Sequence, residues 1–161
     1  MSPLLRYRIS LGFFIFGLII SGLTTFPLQW EVSFLNRILG PASPAGGQLI
    51  DGLRSWIAFV ETGIRETDAR FPFFFYGTDW LGFGHLVIAA FFILPFADPV
   101  RYKPVLYVGL VACTGVVILA FVCGPLRGIP LGWRLIDSSF GIIGAVPLLY
   151  CLRLTDKVAE R

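Results

Sequence analysis

Apolar side chains in this chain fall in long runs rather than in alternation, and four runs approach the ~20 residues that carry an α-helix across a bilayer core. The first, residues 8–28, holds Leu11, Phe13, Phe14, Ile15, Phe16, Leu18, Ile19 and Ile20 behind Arg6 and Arg8. Its apolar stretch continues to Phe26 with no A-x-A cleavage pattern, so it reads as an uncleaved signal-anchor helix. The others cover residues 78–96, 104–123 and 133–152; Gly124 and Pro125 close the third. Pro147 falls inside the fourth, where a membrane helix tolerates it if neighbours satisfy the carbonyl it frees. The pattern predicts an all-α membrane protein, a single integral domain over residues 1–161 with four transmembrane helices.

The loop between the first two runs, residues 29–77, has its own periodicity. It breaks at Gly40-Pro41-Ala42-Ser43-Pro44-Ala45-Gly46-Gly47, a stretch of turn formers. After the break, Leu49, Ile50, Leu53, Trp56, Ile57, Val60 and Ile64 recur at helical spacing, with Gln48, Asp51, Arg54, Ser55, Thr62, Arg65 and Glu66 on the other face. This predicts an amphipathic helix over residues 47–67. Before the break, Trp30, Phe34, Leu35, Ile38 and Leu39 give a shorter helical pattern opposite Glu31, Asn36 and Arg37. Two such helices are expected in the headgroup region or capping the bundle. Phe71-Pro72-Phe73-Phe74-Phe75-Tyr76 and Trp80 then read as an interfacial aromatic belt.

Composition agrees with lipid as the solvent. Of the 161 residues 56% are hydrophobic and only 14% charged, against roughly 25% charged in soluble domains. The net charge is +3, but the thirteen basic residues are scattered among loops and form no stripe, which argues against a nucleic-acid partner. Their positions speak to topology instead. Arg6 and Arg8, Arg101 and Lys103, and Arg153, Lys157 and Arg161 flank span ends that share one side, so both termini are expected in the cytoplasm of a cell whose inner membrane holds the chain. Arg127 and Arg134 in the third-to-fourth loop oppose that assignment, as do the arginines of the long loop, where charge counts less. Cys113, Cys123 and Cys151 lie in apolar runs without a CxxC pair or a Cys/His grouping, and read as buried thiols. Small residues four apart, Gly17 and Ser21, Gly109 and Cys113, Gly141 and Ala145, predict close helix packing.

Polar groups are expensive inside a bilayer, so function is sought at Asp79, His85, Arg127, Arg134 and Asp137, with Ser138 and Ser139 beside them. Asp79, His85, Arg127, Arg134 and Asp137 are the candidate ligand-binding residues. All are expected toward the outer span ends beneath the long loop. Arg134 and Asp137, three apart, share a helix face and are expected to pair. Arg127 and Arg134 bring guanidiniums suited to phosphate or carboxylate on a lipid, a quinone or a substrate. Gly82 and Gly84 precede His85 and leave room for a helix or a flat ligand to approach the backbone. A lone histidine cannot supply both axial ligands of a transmembrane haem, although it could be a sole ligand, so no cofactor or metal is predicted and haem on His85 is kept as an alternative. Asp79 and His85 are six apart and do not share a helical face. No nucleophile triad, Gly-rich phosphate loop, HExxH helix or di-carboxylate pair is present, which leans away from an enzyme. The long loop has no counterpart in the second half, which disfavours an inverted-repeat transporter.

At Tyr76-Gly77-Thr78-Asp79-Trp80-Leu81-Gly82-Phe83-Gly84-His85, and at Gly124-Pro125-Leu126-Arg127-Gly128-Ile129-Pro130 with Trp133-Arg134-Leu135-Ile136-Asp137, the sequence resembles a group of small uncharacterised bacterial membrane proteins. The likeness covers mainly the last three spans; it implies a bacterial inner membrane and no assigned activity. Three functions are therefore expected in order: a non-enzymatic accessory or assembly subunit, partnered by another membrane protein or a second copy; a lipid- or small-ligand-handling protein; and a haem- or quinone-associated redox subunit.

Overall fold

A computed structural model describes residues 1–42 and 51–159. The described residues are helical, and four helical segments are long and apolar enough to cross a membrane: Pro3–Thr25, Pro72–Ala97, Lys103–Leu126 and Leu131–Ala159. Large apolar side chains such as Phe13, Val111, Phe140 and Val146 stand exposed along them. Such exposure is the signature of helices whose solvent is lipid.

Helix α1 runs Pro3–Thr25, starting earlier than the apolar pattern indicates. Pro3 suits the first helical turn, and the Leu5 N–H donates to Ser2 Oγ at 3.3 Å, a side-chain cap that lets the helix begin before Arg6. Pro27 then opens α2, Leu28–Leu39, which ends at Gly40. Helix α3 is described over Asp51–Arg70; the start expected at residue 47 lies outside the described residues. After a single 3-10 turn at Pro72–Phe74 come α4, Phe75–Phe91, and a short α5, Ile93–Ala97, which together form the second span. Helix α6 covers Lys103–Leu126 and α7 Leu131–Ala159. Pro147 does not end α7; the carbonyl it frees is that of Ile143, and the Ser10 hydroxyl of α1 donates to Pro147's own carbonyl at 3.3 Å.

The chain divides into two compact units, residues 1–20 with 85–161, and residues 21–84. In the first, Tyr7, Leu11, Phe92, Leu106, Leu148, Cys151 and Leu154 form the core, and Phe14 meets Phe92 edge-on at 4.8 Å. Helices α6 and α7 pack through small residues. A Cβ at Gly109 would lie 2.6 Å from Phe92 Cζ and 2.8 Å from Leu148 Cδ1, and one at Gly141 would strike the Cys113 carbonyl. The spacing motifs at Gly109 and Gly141 are thus true contact sites, as membrane packing without a hydrophobic drive between helices requires. Gly17 and Ser21 depart from that reading: both are exposed, and Gly17 has open space where a Cβ would be. Cys123 departs too, being exposed where Cys113 and Cys151 are buried.

The second unit holds the α2–α3 hairpin and a helix crossing. A Cβ on buried Gly82 would stand 2.8 Å from the Gly22 carbonyl, so Gly82 admits α1 rather than a flat ligand, while Gly84 has open space. The hairpin reverses part of the amphipathic reading. Arg54, placed on the polar outer face by its spacing, is only 8% exposed. Its Nε and Nη2 donate to the Gly40 carbonyl at 3.1 and 2.9 Å, and Nη2 also to the Pro41 carbonyl at 3.0 Å. A guanidinium therefore closes the C-terminal end of α2, where carbonyls lack helical partners and the helix dipole favours a cation.

Between the two helices sits a second polar group. The Glu61 carboxylate accepts from Asn36 Nδ2 and from the exposed Arg65 Nη2, the latter at 2.9 Å. Hydrogen bonds from Ser33 and Asn36, then the Arg65 charge, hold the Glu61 carboxyl below the ordinary range. Burial pushes Glu31 on α2 the other way. A carboxyl with a lowered folded-state pKa lends stability that is fully present above its unfolded value, about 4.3, and is lost as pH falls through the folded value. Glu31 acts in the opposite sense, favouring the fold at low pH and losing that contribution as pH rises through its raised value. Protection factors across α2 and α3, which correct for the intrinsic pH dependence of amide exchange, are therefore expected to fall on acidification below about pH 4. Glu61→Gln should flatten that response; an acid sensitivity unchanged by the substitution would remove Glu61 as its source.

Candidate functional site

The turn between α6 and α7 is built by one glycine. Gly128 has φ +69°, a left-handed conformation that a side chain resists. Its N–H donates to the Pro125 carbonyl at 3.1 Å, and the Ile129 N–H donates to the Gly124 carbonyl at 3.0 Å. This is a Schellman closure, and it satisfies carbonyls that the helix end would otherwise leave bare. Arg127, the residue capping α6, is held at that turn by its own N–H, shared between the Cys123 and Gly124 carbonyls at 3.1 Å each. Pro130 then opens α7, its carbonyl accepting from the N–H groups of Trp133 and Arg134.

Beside the turn lies a cavity of about 280 Å3. Val116, Leu119 and Ala120 of α6 and Ile129 of the turn give it an apolar lining, and Cys123 and Gly124 continue that wall. Its charged residues are Arg127 and Asp137. Gly124 also has a second neighbour: a Cβ there would collide with the Arg134 side chain, whose stem occupies the space the glycine leaves. The Arg134 Nε is buried without a hydrogen-bond partner. The expected Arg134–Asp137 pair is not made. Among the described residues the ion pairs are Arg54–Asp51, Arg65–Glu61 and Lys103–Asp156. Helical spacing put the two groups on one face, but Arg134 runs across Gly124, and Asp137, about a turn further along α7, lines the cavity.

Of the five candidate residues the fold thus brings Arg127 and Asp137 to one cavity and sets Arg134 against its Gly124 wall. His85 lies in the same compact unit, half-buried on α4; it does not line this cavity and is engaged in interactions within the protein. Asp79 belongs to the other unit and is half-buried on α4. Ser138 and Ser139 turn their hydroxyls back onto the α7 backbone, at the Arg134 and Ile136 carbonyls, instead of bridging helices. Among the described residues no group of three or more His, Cys, Asp or Glu side chains converges as a metal ligand set does.

Searches of protein-family models, curated proteins and solved structures return no match for this chain. An apolar wall of α6 side chains beside an unpaired guanidinium suits an amphiphile with a charged head and a hydrocarbon body. Two elements of the site escape a reading by spacing. Cys123 looked like one more buried thiol, and Gly124 like helix punctuation alone. The signal available for Gly124 was its place ten residues before Arg134 across a short turn, which opposes the two positions on antiparallel helices.

Proposed function

We propose that the protein is a non-enzymatic membrane protein of the bacterial inner membrane that binds an anionic amphiphile at the α6–α7 turn, with Arg127 as the principal contact and Arg134 beside it. The observation that carries this reading is that Arg127 and Asp137 line one apolar-walled cavity while neither has an ion pair among the described residues. A charge at the end of a membrane span with no ion pair among the described residues is a charge available to a ligand. Two guanidiniums against one carboxylate leave the site net positive, which selects an anionic head.

Native mass spectrometry of the full chain in detergent, titrated with phosphatidylglycerol or phosphatidylcholine, tests it. The anionic lipid should bind more tightly, and Arg127→Ala should weaken it roughly tenfold, the equivalent of one charge-assisted hydrogen bond. Asp137→Asn should strengthen anionic binding by removing a like charge. Equal binding of both lipids by the wild type and Arg127→Ala would sink the proposal. A bound polypeptide released by Arg127→Ala, with no lipid effect, would instead give the cavity to a protein partner, the accessory role raised by the sequence.

The same reading keeps both termini in the cytoplasm and residues 29–77 outside, as the flanking basic residues support. A Thr62→Cys label site in a Cys123→Ser background should then react with an impermeant maleimide on intact cells. Reaction only after the membrane is opened would reverse the orientation.

A further inference from the structure

We infer that α2 is itself seated in the lipid interface while α3 rides on it at the water side, so that the hairpin is a two-layer membrane anchor and not a pair of equivalent surface helices. In a hairpin that folds in water, polar residues face out and apolar residues meet between the helices. Helix α2 departs from this along one stripe, while Leu35 and Leu39 are half-buried and Gln29 and Arg37 exposed. Trp30, Phe34 and Ile38 stand 67%, 47% and 44% exposed. They are four apart and form one stripe, and the Trp30 and Phe34 rings stack at 5.4 Å with planes 8° apart. Its Asn36 instead turns toward α3, where it donates to the Glu61 carboxylate.

Helix α3 has the ordinary arrangement. Ile57 is buried, and Ser55, Thr62, Arg65, Glu66 and Arg70 are exposed, with Phe59 the one large apolar side chain among them. One helix is therefore built for apolar surroundings on its outer face and the other for water.

The chain identifies the occupant of the α2 stripe as the bilayer. Only Phe26 and Pro27 separate the end of the α1 span from α2, and only Phe71 separates α3 from the next span. Two residues reach at most about 7 Å, so the first turn of α2 cannot leave the interface where α1 ends. The exposed Leu23 and Phe26 continue the lipid-facing surface of α1 into Trp30. Aromatic side chains at that depth are what interfacial anchoring uses.

The test is nitroxide accessibility in the full chain reconstituted in phosphatidylcholine vesicles, with Cys123→Ser removing the exposed native thiol. A label at Phe34→Cys should collide more with oxygen, which concentrates in lipid, than with a water-soluble nickel chelate; a label at Thr62→Cys should show the reverse order. Ile38→Cys repeats the first reading should substitution of Phe34 disturb the fold. Water-type accessibility at positions 34 and 38 would overturn the inference. Shielding from both reagents there would overturn it as well, by assigning the stripe to a second copy or another protein.

Discussion

Gly141→Ala should destabilise the protein by about 3 kcal/mol, toward the upper end for overpacking a closed core, because the added methyl has nowhere to go. A Cβ at Gly141 meets the Cys113 carbonyl oxygen well inside van der Waals distance, and also the Cys113 carbonyl carbon and Val116 Cβ, each at 3.3 Å. Backbone cannot swing aside as a side-chain tip can, so α6 and α7 must separate, and their separation loosens the contacts of Gly109 and Gly124 as well. Gly115 on α6 is the control, since nothing lies within 4 Å of its Cβ position. Gly115→Ala should be neutral or stabilising by up to about 1 kcal/mol through helix propensity. Thermal denaturation of both variants in one detergent separates the two; a matched Tm would mean that α6 and α7 do not approach at Gly141. The loosening should also weaken lipid binding at the cavity, whose walls both helices supply.

Much of this architecture was legible because a membrane helix announces itself through length and continuous hydrophobicity, and the spans differ from expectation chiefly at their ends. Helix α7 runs seven residues beyond Leu152, through Arg153, Asp156 and Lys157, because hydropathy marks where lipid contact stops and not where the hydrogen-bond ladder stops. Periodicity also found α2 and α3, but it assumes that polar residues face outward. That assumption fails at Arg54 and Asn36, which face inward because the end of α2 and the half-buried Glu61 carboxylate take them as hydrogen-bond donors. At the candidate site, residue type singled out five polar groups, of which Arg127 and Asp137 line one cavity while Asp79 and His85 do not, and Arg134 lies against Gly124 without the Asp137 ion pair that spacing indicated. Spacing along a helix reports which side chains can meet, and the glycine on the opposing helix decides which do.

Arg54→Ala should cost about 3 kcal/mol within the hairpin, since it removes charged donors from the buried Gly40 carbonyl and the part-buried contact with the Pro41 carbonyl. Three hydrogen bonds join the Arg54 guanidinium to Gly40 and Pro41, and a longer contact of 3.5 Å reaches Asp51, so one side chain ties the end of α2 to the start of the described part of α3. Arg54→Lys should recover only part of the loss. An ammonium offers a point charge that still favours the helix C-terminus, but it lacks the planar fork that serves two carbonyls at once. Hydrogen exchange over Leu28–Leu39 in lipid nanodiscs should rise strongly in the alanine variant and moderately in the lysine variant, with α6 and α7 unchanged. Equal protection of α2 in all three proteins would show that lipid, and not Arg54, holds this helix. Because α2 carries the outward aromatic stripe, its release in Arg54→Ala should also shift a nitroxide at position 34 toward water, which links the lock inside the hairpin to the seat of the hairpin on the membrane.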